Sequence, residues 1–590
     1  MSTTTIEKFF TGKTLVIPGF QRDYAWTQRN VDDLFDDVEE ALDVGGSHYL
    51  GTFILSQKDK TGPVHVVDGQ QRLTTLTLLL NALIDAVEDI DIKRHYRNSL
   101  IANPITGPKF RVLGDNDAFF RCLINKEAPL AVSDGQKRLQ KASERIRHRV
   151  LTLVTRGGQD LIQKWLGCIN QMEVLEFIEP NEGKAIRMFQ SVNDRGVPLA
   201  KMDIVKSLLV YYSNRYLDGV LDDFVAQRFG DAFRCFSRVK TLGEEDGYKI
   251  RLINRDSFRE DDVLRYHYFA FDASNFGVVA GAHYDATSET VLEVFLKPAL
   301  KSLRATPDKL RAFIHQYTED LAKFFGGLES LVAATRHDKP SYLLLVAQDI
   351  SATLYPLVIR LHLNGWLSQP TGEADARSLQ DLIELVDLRV FKLRGTNPQA
   401  DIARLTRDLP KLLPTQIADR LRWFCQSFMP DALMASGLVD ENLYRNPGLQ
   451  RMLLEVDEQA RLALTLQPLD VNELAALFKQ GLTVEHILPQ EPSFDVVAYG
   501  FSDGDEFLQY KHCLGNLILL EGSLNSCCSN RTVEEKMSAE NLYCASALTS
   551  VNALAAQHAG QAMGYRKTDV SSRGQALADL IAKRWPIVVK

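Results

Sequence analysis

The clearest periodic pattern of apolar and polar positions lies near the N-terminus of the chain, over residues 31–42. Apolar side chains recur there at helical spacing, and acidic side chains fill the opposite face. The apolar members are Val31, Leu34, Phe35, Val38, Ala41 and Leu42. This spacing predicts an amphipathic helix that buries one side.

Apolar runs without this periodic pattern follow. Residues 49–56 and 64–67 are short and apolar, which is typical of buried strands. Residues 73–87 form a longer apolar run that predicts a buried helix, and Asp68-Gly69 marks the turn between strand and helix. The segment 17–24, which contains Pro18-Gly19, is expected to be extended or turn-like.

Helical patterns dominate the rest of the chain. We expect short helices over 185–189 and 202–212, with a turn at 193–196 between them. From 216 to 455 the pattern is mostly helical, and glycine-rich interruptions occur at 243–247, 277–281 and 395–398. A helical tail is predicted over 575–584, with Gly574 as the turn before it.

Composition narrows the class of protein without naming a function. The chain has 590 residues, too many for one core, so two to four domains are expected. Its net charge of -8 argues against a broadly basic nucleic-acid coat. A basic stretch within 137–149 could contact nucleic acid, but a solvated helix face is the interpretation we favour.

The cysteine pattern and the lengths of the apolar runs indicate the cellular compartment of the protein. The eight cysteines include no C-x-x-C pair, which disfavours a zinc-stapled module and is typical of free thiols in a reducing compartment. Residues 1–8 lack an apolar signal segment, and no run of about 18 apolar residues predicts a membrane span. We expect a cytoplasmic protein with no membrane partner.

Three polar blocks near the C-terminus carry candidate chemistry. Residues 483–489 contain Glu485 and His486, and Asn516 and Asn525 follow later. Glu485 and Asn525 offer oxygen ligands to a hard cation, and a histidine beside them can take a proton from water. Together these groups suit one-metal hydrolysis of a phosphodiester.

These blocks, E-H-I-x-P, G-N-L-x-L-L and L-N, resemble the HNH endonucleases with their ββα-metal fold, and most closely the C-terminal domain of GmrSD-type restriction enzymes. The resemblance covers about residues 444–590. It implies a general base at His486, an orienting role for Asn516, and metal ligands at Glu485 and Asn525, with Mg²⁺ or another divalent ion as cofactor. It also implies phosphate contacts to DNA from Asn530, Arg531 and Lys536.

Two features qualify this interpretation. The gap from His486 to Asn516 is long, and residues 491–509 are expected to be an inserted loop. The alternative is a structural histidine with two turn asparagines. Three blocks in the right order favour the nuclease.

A second set of polar residues lies near the N-terminus, in residues 20–26 and 67–72. Each segment places Gln beside Arg, whose rigid fork suits phosphate. No G-x-x-x-x-G-K-[ST] loop occurs, so a nucleotide site would be of another kind. Tyr24 and Trp26 could stack on a base, but core packing is the interpretation we favour.

These segments resemble the DGQQR domain of the same GmrSD-like proteins, which is related to the ParB/sulfiredoxin fold. The match extends through residues 188–199 and 203–206. It implies binding and hydrolysis of a nucleoside triphosphate (NTP), with catalytic groups at Asp68, Gln70, Gln71 and Arg72. Nucleotide-binding groups would be Gln21, Arg22, Gly69, Asn193, Arg195, Asp203 and Lys206. The alternative is a buried structural pair between Arg72 and Asp203.

The sequence therefore predicts a predominantly helical α+β protein in three segments. Residues 1–215 form an N-terminal ParB/sulfiredoxin-like α/β domain, 216–443 a helical spacer, and 444–590 the ββα-metal (HNH) domain. The expected function is NTP-dependent, modification-dependent (type IV) restriction of double-stranded phage DNA by a homodimer. The modification could be glucosylated or hydroxymethylated cytosine, or phosphorothioate-linked DNA.

Two other interpretations remain open. One is a nucleotide-regulated DNA-binding or phosphorothioate-sensing defence protein that nicks DNA or blocks replication. The other is an NTPase that modifies or blocks replication without cutting DNA.

Overall fold

The structure is a computed structural model that covers most of the chain. It describes residues 2–18, 23–44, 49–57, 62–112, 115–180, 200–371, 376–440, 442–491, 494–558 and 564–588. The helix predicted over 185–189 and the turn predicted at 193–196 lie outside the described residues. The chain divides into two compact units: residues 1–237 with 292–322, and residues 238–291 with 323–590.

The α-helices begin close to the N-terminus. As far as residue 243 they are α1 Ile6–Phe10, α2 Gln28–Val44, α3 Gln70–Ala86, α4 Ile90–Tyr96, α5 Asp115–Ile124, α6 Asp134–Gln171, α7 Lys201–Tyr216 and α8 Asp222–Gly243. The next group is α9 Glu260–Ala270, α10 Lys297–Leu303, α11 Pro307–Ala334, α12 Lys339–Tyr342, α13 Tyr355–Leu363, α14 Leu379–Val386, α15 Gln399–Asp408, α16 Pro414–Phe428 and α17 Asp431–Asp440. The last group is α18 Leu449–Ala463, α19 Val471–Lys479, α20 Gly504–Tyr510, α21 Gly522–Cys528, α22 Val533–Ser538, α23 Thr549–His558 and α24 Lys567–Arg584.

Strands are short and lie at the two ends of the chain. They are β1 Ser2–Thr5, β2 Leu15–Val16, β3 Tyr49–Ser56, β4 Val64–Asp68, β5 Ala102–Asn103, β6 Gly107–Pro108, β7 Phe110–Arg111, β8 Glu173–Glu179, β9 Leu482–His486 and β10 Leu517–Glu521. Tighter 3-10 turns are Ser274–Phe276, Ala352–Leu354, Leu409–Lys411, Leu514–Asn516 and Tyr543–Ala545, and wider π-helical turns are Arg97–Ile101, Leu292–Leu296, Leu343–Ala347 and Asp387–Leu393.

A six-stranded mixed sheet organises the first unit, in the order β1-β8-β3-β4-β2-β7. Strand β3 pairs parallel with β8 and antiparallel with β4. Helices α2 and α3 both pack on the long helix α6, which is kinked at Gly158, where φ is 57°. The predicted α+β class with predominantly helical content is confirmed.

The helices and strands predicted within residues 31–87 are present, and residues 19–22 of the predicted segment 17–24 lie outside the described residues. Helix α2 contains the predicted 31–42, and its apolar face is buried as expected. Strands β3 and β4 match the two predicted strands, and α3 begins three residues before the predicted start. A buried strand that turns directly into a buried helix therefore places Asp68 to Arg72 at the C-terminal end of β4.

Most of the basic stretch within α6 is exposed, as favoured from the sequence, but Arg145 and Arg149 are half-buried against α2. The Arg145 guanidinium donates to both carboxylate oxygens of Asp32 at 3.0 Å, and Arg149 donates to the same carboxylate at 3.4 Å. The basic face of α6 thus meets the acidic face of α2. The sequence missed this because the two faces are more than a hundred residues apart.

The middle of the chain is mostly helical from 216 to 455, as predicted, and its helices break at the expected glycines. The segment 491–509 is not simply a loop, since α20 begins at Gly504. Its aromatic residues pack on one another, with Phe501 and Phe507 2 % exposed and ring centroids 5.3 Å apart. The inserted segment is therefore a small folded element.

The C-terminal helix begins earlier than the sequence predicts. Gly574 lies inside α24, which starts at Lys567, so Gly574 is not a turn before the helix. A Cβ built on Gly515 would lie 1.8 Å from the Val570 carbonyl oxygen and 2.9 Å from the Gly574 nitrogen. The two glycines thus permit close contact between α24 and the turn at Leu514–Asn516.

The division into 1–215, 216–443 and 444–590 stays a prediction. None of the helices in the described ranges is long and apolar enough to cross a membrane.

Candidate functional site

The three C-terminal blocks converge on an antiparallel hairpin of β9 and β10. His486 pairs with Leu517, and Glu485 pairs with Ile518. Helix α21, which carries Asn525, follows β10 directly and packs on both strands. Successive side chains of a strand point to opposite faces, so Glu485 and His486 leave β9 on opposite sides.

His486 lies in a cluster of three rings. Its Nε2 shares a hydrogen bond with Nδ1 of His512 at 2.9 Å, and its ring centroid lies 4.3 Å from that of Tyr444. The rings of Tyr444 and His512 stack at 5.1 Å. His486 is only 3 % exposed, and this burial, with the charge of His512, Lys536 and Lys511, lowers its pKa to about 3. The imidazole is therefore neutral at physiological pH.

Asn516 fixes the backbone on both sides of this cluster. Its side-chain oxygen accepts from the Leu488 amide at 2.8 Å, and its side-chain nitrogen donates to the carbonyls of Leu488 at 3.1 Å and Lys511 at 2.9 Å. The asparagine is fully buried. It thus ties the residues that follow His486 to the residue that precedes His512.

The C-terminal helix α24 supports the turn that carries Asn516. Nη1 of Arg573 donates to the carbonyls of Gly515 at 2.8 Å and Leu517 at 2.9 Å, and the Tyr565 hydroxyl donates to Gly515 at 2.6 Å. Sequence reasoning missed Arg573 and Tyr565. They lie about 50 residues after the motif they support, and no local pattern connects them to it.

On the other side of β9, Glu485 forms a buried ion pair with Lys536. The Lys536 ammonium donates to Glu485 Oε1 at 2.6 Å and to the His486 carbonyl at 2.7 Å. Both residues are almost fully buried. Burial raises the pKa of Glu485, and the nearby Lys536 opposes that rise.

The residues predicted to contact DNA phosphate fall in two places. Asn530 and Arg531 are exposed after α21, where Arg531 Nε donates to the Cys527 carbonyl at 3.0 Å. Lys536 is buried in α22, so its amine faces Glu485 rather than solvent. The structure gives Lys536 a role in holding the hairpin instead of a phosphate contact.

The donor set for a metal is made of oxygens. The Asn525 amide donates to Thr483 Oγ1 at 2.8 Å and the Val484 carbonyl at 3.3 Å, on the face of β9 that also carries Glu485. An ionised carboxylate accepts at two oxygens, so the bond from Lys536 leaves Glu485 with further capacity. No group of three His, Cys, Asp or Glu in the described part of the chain is arranged to hold a metal. Glu485 and Asn525 are therefore the two oxygen donors that this face of β9 offers.

Directly after the C-terminal end of β4, Gly69 joins this strand to α3 in a left-handed conformation, with φ of 93°. A Cβ built there would lie 2.4 Å from the Phe53 ring, so no other residue fits without movement. Asp68, just before it, has its pKa raised by burial, and the Gly69 amide and Arg72 oppose that rise.

The two glutamines after Gly69 have different environments. Gln71 braces the chain at residues 23–25: its oxygen accepts from the Ala25 amide at 2.8 Å, and its nitrogen donates to the Asp23 carbonyl at 3.2 Å. Gln70 is 8 % exposed, and its Oε1 has no hydrogen-bond partner in the described part of the chain. It lines a cavity of about 30 Å³ together with Asp23, Tyr24 and Asn116.

Arg72 reaches back over β3, where its Nη1 lies 3.4 Å from the Thr52 carbonyl and its guanidinium lies 5.8 Å from the Phe53 ring centroid. Among the residues that the structure describes, Arg72 and Asp203 form no ion pair, which removes the alternative of a structural pair. Asp203 lies in the first turn of α7, and Lys206 is buried one turn later.

Four predicted nucleotide-binding residues, Gln21, Arg22, Asn193 and Arg195, lie outside the described residues. Tyr24 belongs to the core, as favoured from the sequence: it is 8 % exposed, and its hydroxyl shares a hydrogen bond with Thr75 at 2.8 Å. Trp26 is half-buried against the same core.

Two family models match the ends of the chain. The model of the GmrSD restriction endonuclease N-terminal domain matches residues 6–210, and the model of the GmrSD C-terminal domain matches residues 442–580. The two matches contain both sets of polar residues described above. A search of curated proteins found no match.

Proposed function

The chain belongs to the GmrSD family of type IV restriction endonucleases, and from this membership we propose that the β9–β10 hairpin with α21 is an HNH nuclease site. DNA is the partner that a restriction endonuclease implies. The observation that carries the proposal is the fixed position of His486. Asn516 holds the backbone after it, Lys536 holds its carbonyl, and His512 bonds its ring.

In the proposed reaction His486 is the general base. Its neutral ring takes a proton from water, and the water oxygen forms a bond to phosphorus. The bond between phosphorus and one sugar oxygen breaks, and that oxygen keeps the electron pair. A pKa of about 3 makes His486 a weak base before DNA binds. A phosphate placed beside the ring would favour its charged form and raise that pKa.

Glu485 and Asn525 are the residues that would hold a divalent cation, with Mg²⁺ the ion we expect. When bound, the ion would stabilise charge that develops on the phosphate. Lys536 orients Glu485 from behind, as hydrogen-bonded neighbours commonly do for metal-binding carboxylates.

The burial of His486 sets a condition on this proposal. With 3 % of the residue exposed, water reaches the ring only if a neighbouring group yields when DNA binds. The half-buried ring of Tyr444 covers it most closely. Catalytic geometry commonly tightens only in the substrate complex.

We further propose that the turn from Asp68 to Arg72 binds and hydrolyses an NTP that controls cleavage. Gln70 supports this, because a buried amide oxygen without a partner beside a small cavity is costly unless a water or a ligand satisfies it. A cavity of about 30 Å³ has room for roughly two waters, so a nucleotide would need a wider opening. We also propose that the target DNA is modified and that the protein assembles as a homodimer.

The test of the nuclease site is a supercoiled-plasmid assay. Modified and unmodified phage DNA would be included, with Mg²⁺ and each NTP, for the wild type and His486→Ala. We expect His486→Ala to lower the nicking rate by about 10²- to 10⁴-fold. His337→Ala, an exposed histidine in the same unit, is the matched control and should cut normally.

Equal cutting by wild type and His486→Ala on every substrate would contradict the nuclease site. Retained DNA binding without any cutting by the wild type would favour a nucleotide-regulated DNA-binding protein. If unmodified and modified DNA are cut at the same rate, the nuclease site is supported and only the proposed dependence on DNA modification is contradicted.

Phosphate release tests the N-terminal site. Asp68→Ala and Arg72→Ala should each abolish NTP turnover, and Arg138→Ala, an exposed arginine on α6, should not. Undiminished turnover in both variants would place NTP hydrolysis elsewhere. Native mass measured with and without nucleotide tests the homodimer, and a monomer under both conditions would exclude it.

A further inference from the structure

His512 occupies a position that no motif assigns. It lies 26 residues after His486, and its Nδ1 is 2.9 Å from His486 Nε2. A hydrogen bond between these two ring nitrogens needs one proton, which is carried either by His486 or by His512.

The ring that carries this proton determines whether Nδ1 of His486 can act as a base. If His486 Nε2 carries the proton and donates it, its Nδ1 has a free lone pair and can accept a proton from water. If His512 Nδ1 carries it, then Nδ1 of His486 is protonated and the neutral ring cannot act as a base at that atom. Which ring nitrogen carries the proton is set by the hydrogen bond made at the other.

His512 is itself held in place. Its carbonyl accepts from the Leu443 amide at 3.3 Å, and its ring stacks on Tyr444 with planes 11° apart. The carbonyl of Lys511, just before it, accepts from Asn516 at 2.9 Å. The same asparagine bonds both backbone groups of Leu488, so one side chain sets the spacing between the two histidine segments.

We propose that His512 is a positioning residue for strand cleavage, whose Nδ1 accepts the Nε2 proton of His486 and so presents His486 Nδ1 to the attacking water. This inference rests on the proposed nuclease function. In this proposal His512 acts through His486 and has no contact of its own with the reacting atoms. When Nδ1 takes a proton from water, the Nε2–H bond to His512 remains and stabilises the charged ring.

Three substitutions separate the hydrogen bond from ring packing. His512→Phe keeps a ring on Tyr444 but has no acceptor, and His512→Ala removes both. His512→Asn places an amide oxygen near the position of Nδ1. We expect kcat for nicking to fall about 10- to 100-fold in the Phe and Ala variants with KM for DNA unchanged, and to recover to within a few-fold in the Asn variant.

Wild-type kcat in His512→Phe would overturn the proposal, because packing alone would then suffice. A fall in kcat together with a rise in KM in all three variants would also overturn it, since the residue would then be structural. Thermal melting of each variant checks that the fold is retained, and the Asn variant provides the readout if the Ala variant unfolds.

Nitrogen NMR of the full-length protein labelled at histidine gives a second readout that needs no cleavage. We expect the His486 ring as the Nε2-protonated form in the wild type and a mixture of both forms in His512→Phe. The Nδ1-protonated form in the wild type would overturn the proposal even if His486 is the general base. If the wild type gives the expected NMR result but His486→Ala still cuts DNA, the nuclease site is rejected. The hydrogen bond between the two histidines is then still supported.

Discussion

The two sets of polar residues differ in how the chain assembles them. The N-terminal set is one continuous turn, in which five consecutive residues from Asp68 to Arg72 follow a strand and begin a helix. The C-terminal set comes from separate segments, and its members bond one another directly or through the backbone between them.

The difference shows in what each side chain does. In the N-terminal turn, Gln71 bonds residues 23 and 25, Arg72 approaches residue 52, and the oxygen of Gln70 has no partner in the described residues. In the C-terminal site, Asn516 and Lys536 both hold the segment around His486. A turn defined by consecutive residues can thus present divergent side chains, and a site made from distant residues needs a network to hold them.

The largest expected effect is loss of the buried ammonium in the C-terminal network. Lys536→Met leaves the Glu485 carboxylate and two backbone carbonyls without their donor, so we expect about 3–5 kcal/mol of destabilisation. Urea unfolding monitored by amide exchange of 482–490 would measure it. Lys583→Met, an exposed lysine on α24, is the matched control and should stay within about 0.5 kcal/mol. Equal effects of the two changes would show that Lys536 does not hold the hairpin.

A smaller change in stability is expected at the two glycines where α24 contacts the turn Leu514–Asn516, and it should differ between them. A Cβ at Gly515 would overlap the Val570 carbonyl at 1.8 Å, so Gly515→Ala should destabilise by about 1–3 kcal/mol or more. The nearest atom to a Cβ at Gly574 is 3.4 Å away, inside a helix, so Gly574→Ala should be neutral or stabilise by up to about 1 kcal/mol. Melting of the two variants measures the difference. Equal losses would mean that α24 does not lie this close to the turn.

The smallest effect distinguishes the two glutamines of the N-terminal turn. Gln71→Ala removes two bonds to the backbone and should loosen residues 23–25, at a cost of about 1–2 kcal/mol. Gln70→Ala removes an oxygen that has no partner among the described residues, so stability should hold while phosphate release falls. Amide exchange of residues 23–30 and phosphate release, measured on both variants, make the comparison. If Gln70→Ala destabilises as much as Gln71→Ala, the cavity is structural.

The sequence predicted local elements well because their causes are local. The strand, the turn at Gly69 and helix α3 follow from a few adjacent residues, and the three C-terminal blocks fold into a hairpin and a helix in the order in which they occur. The role of Asn516 in orienting the segment after His486 stays a prediction for catalysis, although the structure provides the three hydrogen bonds that such a role requires.

What the sequence could not supply are contacts between distant residues. His512 differs from the other eleven histidines of the chain only in its place four residues before Asn516, a weak signal. Lys536 appeared to be a surface cation because its burial depends on how α22 packs beside β9. Gly574 was interpreted as a turn, because glycine marks turns more often than the close contact of two backbones.

The central claim is that the hairpin cleaves DNA while the N-terminal turn hydrolyses the NTP that controls it. Strand nicking and phosphate release measured in one reaction, for His486→Ala and Arg72→Ala, test this most directly. We predict that His486→Ala releases phosphate at the wild-type rate without nicking, and that Arg72→Ala does neither. Nicking by His486→Ala at the wild-type rate would contradict the account.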